Sequence, residues 1–322
     1  MRRFIAAISA VTMTIRSNGS SSSVAARAKS RIPPAWRRPR RLILAGTVLA
    51  IIAIIVATRS TSRQPPPAGT RVFPIGNQVA LRFLHSTGSV HLVPGPGGQV
   101  SITEHRSGMT EAIHTAYHQQ GNAITVTVSV ENGLPLATWV DFNVAVPQGT
   151  NANVAVPAGT LSAAGLTGSY TLHDTNGSVS AANVSGTVAL QTTSGAISTS
   201  QVRAQVSAVT DNGTITTNST RLRGRSLMRA QTGTINFHGS LDPGSEAEFR
   251  NTNGAIGITL ARGSSAVVAA RTPQGSINSG FPSLRVVSNS GGRVADGRIG
   301  RGDAARLSIE TTGGSIDLNR GT

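Results

Sequence analysis

One short pattern recurs along the second half of this chain: a turn-forming residue, a glycine, a small or hydroxyl residue, then an aliphatic one. It reads Asn176-Gly177-Ser178-Val179, Ser194-Gly195-Ala196-Ile197 and Asn212-Gly213-Thr214-Ile215, then Thr232-Gly233-Thr234-Ile235 and Asn253-Gly254-Ala255-Ile256. Two further copies are Gln274-Gly275-Ser276-Ile277 and Gly313-Gly314-Ser315-Ile316. Gly159-Thr160-Leu161 extends the series upstream, and Gly292-Arg293-Val294 is a degenerate copy. From Gly159 to Gly275 the glycines stand 18, 18, 18, 20, 21 and 21 residues apart. Self-similarity at that period marks units that cannot bury their apolar face alone and must stack.

Other columns keep the same period. Two residues after each glycine stand Leu161, Val179, Ile197, Ile215, Ile235, Ile256, Ile277, Val294 and Ile316. Five before stand Val154, Leu172, Leu190, Ala208, Met228, Phe249, Ala270, Val287 and Ile309. A third column, seven before, is mostly apolar and lies two residues from the second, so both point to one face of a strand. The expected fold is therefore all-β: a β-solenoid of about nine coils of 18–21 residues over 151–322, with aliphatic ladders inside and Ser, Thr, Asn and Gln outside. Gly159, Gly177, Gly195, Gly213, Gly233, Gly254, Gly275 and Gly314 are its expected corners, where positive φ is free for glycine. A β-sandwich of repeated hairpins is the rival arrangement.

Upstream, residues 71–150 alternate well enough in several runs to form strands, and Gly88-Ser89-Val90 echoes the repeat. This region is expected to cap the coil stack, because terminal repeats are atypical. Thr110–Gln120 is expected to be a hairpin or a loop.

The N-terminus has a different chemistry. The chain carries a net charge of +16, yet 12 of its 29 basic residues and none of its 13 acidic ones lie in 1–63. The excess belongs to a tail, so nucleic acid is not an expected partner. Leu42 to Thr58 contains no charge. At 1.5 Å per residue it is just long enough to span a bilayer as a helix. Arg37, Arg38, Arg40 and Arg41 precede it and only Arg59 and Arg63 follow closely. The positive-inside rule then places a disordered basic tail (1–41) in the cytoplasm and the bulk of the chain outside, on a single-pass anchor (42–58). Residues 59–70, with Pro65, Pro66 and Pro67, read as a stiff spacer. A cleaved signal peptide is the alternative, but no clear Ala-x-Ala site follows the apolar run.

Asn-Gly-Ser-Val turns at this period, introduced by Val146-Pro147-Gln148-Gly149-Thr150 behind one membrane segment, resemble the bacterial putative-adhesin β-strand-repeat family, a domain family of unknown function. The likeness covers about residues 75–320. It implies a β-helical extracytoplasmic domain and supplies no catalytic residue to carry over.

The chemistry-bearing residues fit that picture. There is no cysteine, which excludes disulfides, thiol catalysis and cysteine metal sites. The repeat-region acids share no column, so no carboxylate pair for glycan cleavage is visible. His114 and His118 have ligand spacing only on a helix. No enzyme, cofactor or metal is expected. Arg221, Arg223, Arg225 and Arg229 form a candidate patch for anionic ligands, while Asp242, Glu246 and Glu248 read as a solvated loop. The expected function is a membrane-anchored, adhesin-like surface binding or scaffold module, with envelope glycans or other surface proteins as partners. An envelope-stress regulatory component and a polysaccharide-active enzyme are the alternatives.

Overall fold

The computed structural model describes residues 69–322 apart from 77–78, 85–87, 109–112, 131–138 and 322. The expected tail, the apolar span 42–58 and all but the last two residues of the spacer lie outside the described residues. Among the described residues the chain is all-β and not closed into a barrel, and no helix is long and apolar enough to cross a membrane.

Seven strands come first: β1 (Gly69–Pro74), β2 (Ala80–Leu84), β3 (Val90–Pro94), β4 (Gln99–Ser107), β5 (Ile113–Gln120), β6 (Ala123–Val130) and β7 (Trp139–Val146). β1 thus begins inside the expected spacer, and Ile113–Gln120 is a strand paired antiparallel with β6. Five long strands follow: β8 (Thr150–Ala164), β9 (Thr167–Ala182), β10 (Ser185–Ser200), β11 (Arg203–Leu222) and β12 (Arg225–Leu241). Each pairs in parallel with the next along its length. The last eight are β13 (Glu246–Asn253), β14 (Ile256–Leu260), β15 (Ala266–Thr272), β16 (Ile277–Ser279), β17 (Leu284–Asn289), β18 (Gly292–Ile299), β19 (Ala305–Gly313) and β20 (Ile316–Arg320).

The aliphatic columns run through this ladder in register. Leu161 pairs with Val179, Val179 with Ile197, Ile197 with Ile215, Ile215 with Ile235 and Ile235 with Ile256. Every member of that chain is buried, as are Val154, Leu172, Leu190, Ala208, Met228 and Phe249 in the companion column. Where β-branched residues give way to rings, Phe237 and Phe249 meet edge-to-face at 5.3 Å between centroids. A third apolar row, Leu166, Val184 and Val202, closes the far corner of each repeat.

Spatial order departs from chain order at both ends. β13 and β14 pair not with the Gly275 repeat but with β19 and β20. β15 and β16 then pair with the far side of β19 and β20. The last repeat is thus inserted between the two before it. Likewise β2 and β3 lie between β6 and β7 on one side and β8 on the other. Hydrophobic patterning requires a strand to join the column but does not name its neighbour. The degenerate copy at Gly292 is not in the stack. It sits at the turn between the antiparallel strands β17 and β18, and Val287, expected in the core column, is 41% exposed. Beyond the parallel stack the outer pairings are antiparallel: β5 on β6, β4 on β7, β1 on β4, β18 on β15 and β17 on β18. Such additions keep the last parallel strand from offering an open hydrogen-bonding edge.

Gly195, Gly233 and Gly254 have the positive φ expected of corner glycines (154°, 129° and 143°), but a second need runs through the whole column. Gly213 does not adopt a left-handed φ; a Cβ there would strike the carbonyl oxygen of Gly195 in the repeat below. The glycine column is where adjoining backbones come closest. The left-handed corner lies six residues further on, in Gly165, Asn183, Gln201 and Ser219, with φ between 51° and 70°.

Candidate binding surfaces

The eight glycines singled out in the sequence do line up, in the spatial order Gly159, Gly177, Gly195, Gly213, Gly233, Gly254, Gly314 and Gly275, each with its Cβ position blocked by the glycine before it. Gly88 precedes Gly159 in the same column. Three residues before the glycine runs a buried polar row that the sequence reading missed: Asp174, Thr192, Thr210, Asn251, Thr311 and Thr272. Four of these donate to a glycine carbonyl in the adjoining repeat: Thr192 to Gly177 (3.5 Å), Asn251 to Gly233 (2.9 Å), Thr311 to Gly254 (3.0 Å) and Thr272 to Gly314 (3.1 Å). The recurrence of Thr or Asn at one offset from Gly was the available signal.

The arginine cluster is not a free cationic patch. Arg221 and Arg223 both pair with Asp242, the latter at 2.8 Å, and Arg225 Nη2 lies 2.9 Å from Glu246. Arg306, brought in by the inserted last repeat, sits 3.5 Å from the other Glu246 oxygen, and Arg250 pairs with Glu248. The carboxylates read as a solvated loop are therefore the counter-ions of the arginines read as a ligand site. Arg229 is exposed, opposite Arg250 on the next strand. These pairs are solvent-facing, and each is worth at most about 1 kcal/mol.

At the N-terminal end a second polar cluster is internal. Glu104 is 5% exposed, and its Oε1 accepts from Arg106 Nε and Thr115 Oγ1, both at 2.6 Å, while Oε2 accepts from Tyr117 at 2.8 Å. Burial pushes the Glu104 carboxyl up, but these donors outweigh it and hold it below the usual range. The same contacts, with burial foremost, raise the Tyr117 hydroxyl. Phe73 stacks on Tyr117 at 5.9 Å, and the Arg71 guanidinium lies 4.5 Å from the same ring. Thr115 and Tyr117 belong to β5 and Glu104 and Arg106 to β4, so the cluster fastens together two strands that share no ladder.

The outward face of β3, β4 and β7 carries Trp139, 46% exposed. Asp141 and Asn143 follow on the same side of β7, opposite His105 and Thr103 of β4, and His91 of β3 lies beside Asn143. Asp141 Oδ1 accepts the Ser89 N–H at 2.8 Å, and His91 Nδ1 is 2.7 Å from Ser162 Oγ. Burial lowers the His91 pKa against the raising effect of Asp141. His105 Nδ1 is buried without a hydrogen-bond partner. Among the described residues no group of three or more His, Asp or Glu side chains could hold a metal ion. His114 and His118 lie on strand β5, where four residues span about 13 Å, too far to share an ion.

No protein-family model matches the chain, and no curated protein matches it. Several solved structures resemble it, two of them adhesion proteins by description. One is a putative cell adhesion protein from Clostridium sporogenes, at 9% identity and a TM-score of 0.26, over 79% of this chain and 100% of that one. The other is a putative adhesin from Bacteroides fragilis, at 11% identity and a TM-score of 0.41, over 78% of this chain and 96% of that one. Likenesses this loose carry no inference about what the present chain binds.

Proposed function

We propose that this chain is a non-enzymatic, membrane-anchored extracytoplasmic β-solenoid that works as an adhesin-like surface binding or scaffold module. The observation that carries the reading is the continuous parallel register from β8 to β12. It makes a stack whose outward rows are repeated hydroxyls and amides, suited to contact over an extended surface. The solvent-facing carboxylates Asp242, Glu246 and Glu248 are engaged by arginines, which supports a structural role for them over an acid–base one. The uncharged span 42–58 behind an arginine block supports anchoring with the β-domain outside.

Externally added protease should degrade the C-terminal domain in intact cells while cytoplasmic markers survive, and cells lacking the chain should attach less to their natural surface. Full protection from protease in intact cells, with digestion after lysis, would reverse the assigned orientation.

A further inference from the structure

We propose that the outward face around Trp139 binds an uncharged glycan chain; this rests on the surface-binding reading above and gives it a place and a ligand class. Trp139 is the one tryptophan among the described residues, and it stands exposed on the outward sheet face at the start of β7. An indole left wet gives up a large burial energy, and such rings are found where one face of a partner is apolar. A pyranose has that character: C–H bonds on its face and hydroxyls around its rim.

The neighbours of Trp139 supply the rim's partners. Asp141 and Asn143 are two and four residues along the same strand, so the row extends about 13 Å, the reach of a short oligosaccharide. Opposite them stand the half-buried His105, whose Nδ1 is closed to solvent and so not open to a ligand, and Thr103, whose hydroxyl lies 2.9 Å from that of Thr70. Asp141 is held in place by the Ser89 N–H, so its carboxylate is oriented before any ligand arrives.

Charge decides the ligand class. Arg71 lies opposite Ile102 and Arg106 opposite Val140, so both follow the inward set, and Arg106 is bound to Glu104. Among the described residues the face therefore presents one carboxylate and no arginine, which disfavours an anionic polymer. The clustered arginines lie around β12 and β13 instead.

The test uses the full-length chain carrying Trp36→Phe, in phosphatidylcholine nanodiscs, so that Trp139 is the sole tryptophan reporter. Chitotetraose and cellotetraose are the uncharged probes and tetragalacturonate the charged one. At least one uncharged probe should change Trp139 emission saturably, and tetragalacturonate should not. By calorimetry Trp139→Ala should weaken binding at least about tenfold, with Trp139→Phe intermediate because it keeps a ring. Asp141→Asn should weaken binding, and Arg229→Ser should leave it unchanged. No saturable response to either uncharged probe, equal binding by Trp139→Ala, or tighter binding of the charged probe would overturn the proposal. So would an emission shift caused by added phosphatidylcholine vesicles alone, which would make the face a lipid contact. Cells that still attach with Trp139→Ala in place would sink this site and leave the surface-binding reading standing; cells that attach equally well without the chain would sink that reading itself.

Discussion

Asp174 lies directly opposite Thr192, one repeat away, in the position from which Thr192 reaches the Gly177 carbonyl. It is the acidic member of a row whose other side chains include four donors to glycine carbonyls. It is 0% exposed; Oδ1 accepts the Asn176 N–H at 2.9 Å and Oδ2 has no partner. Burial raises its pKa, with the backbone N–H groups of Asn176 and Thr175 opposing. A raised folded pKa favours the protonated form. The group's contribution to stability is complete below the ordinary carboxylate pKa and is lost as pH rises through the folded value. Asp174→Asn, which supplies the amide that Asn251 uses in the same row, should therefore be more stable than the parent at pH 7 by about 1 kcal/mol. The difference should vanish near pH 3. Urea unfolding at the two pH values checks this; a destabilised variant at pH 7 would refute it.

Gly213→Ala should cost about 3 kcal/mol, because the new methyl meets backbone that the ladder holds on both sides. Gly97 lies in a turn with nothing within 4 Å of a Cβ position and without a left-handed φ, so Gly97→Ala should change stability by less than about 0.5 kcal/mol. Equal losses in thermal denaturation would show that close approach is not the cause.

Gln201 adopts φ 54° at the corner where Asn183 and Gly165 stand in neighbouring repeats. Gln201→Asn should gain about 0.5 kcal/mol, since asparagine tolerates the left-handed region better. A lower melting temperature would contradict this account of the corner.

Thr210 and Thr311 occupy the same buried row, but the Thr311 hydroxyl reaches Gly254 while that of Thr210 has no partner. Thr311→Val should cost about 1 kcal/mol, and Thr210→Val should be neutral or stabilising. Chemical unfolding of both variants decides it; matching losses would mean the carbonyl contacts contribute nothing.

The legible parts were those written as periodicity. Leu161 through Ile256 announced their shared column, and the ladder keeps the chain's own spacing as far as β14. Illegible were the insertion of β19 and β20 beneath β15, and the pairing of Arg225 and Arg306 through Glu246. Strand neighbours far apart in sequence are selected by edge pairing and closure, which leave no local trace. The Glu104 cluster was equally hidden, because a buried carboxylate and an exposed one are spelled alike.

By itself the sequence determined the β class, the period and, outside the Gly292 copy, the inward set. Aliphatic side chains every 18–21 residues leave water here by stacking on their own copies, and the need to bury them is local to each repeat. Tertiary structure alone decided the order of the outermost repeats, the use of glycine for close approach, and the gathering of Trp139, Asp141 and His105 on one face. Those depend on which backbone lies beside which, a choice made by hydrogen bonds between distant strands and available to many sequences with the same pattern.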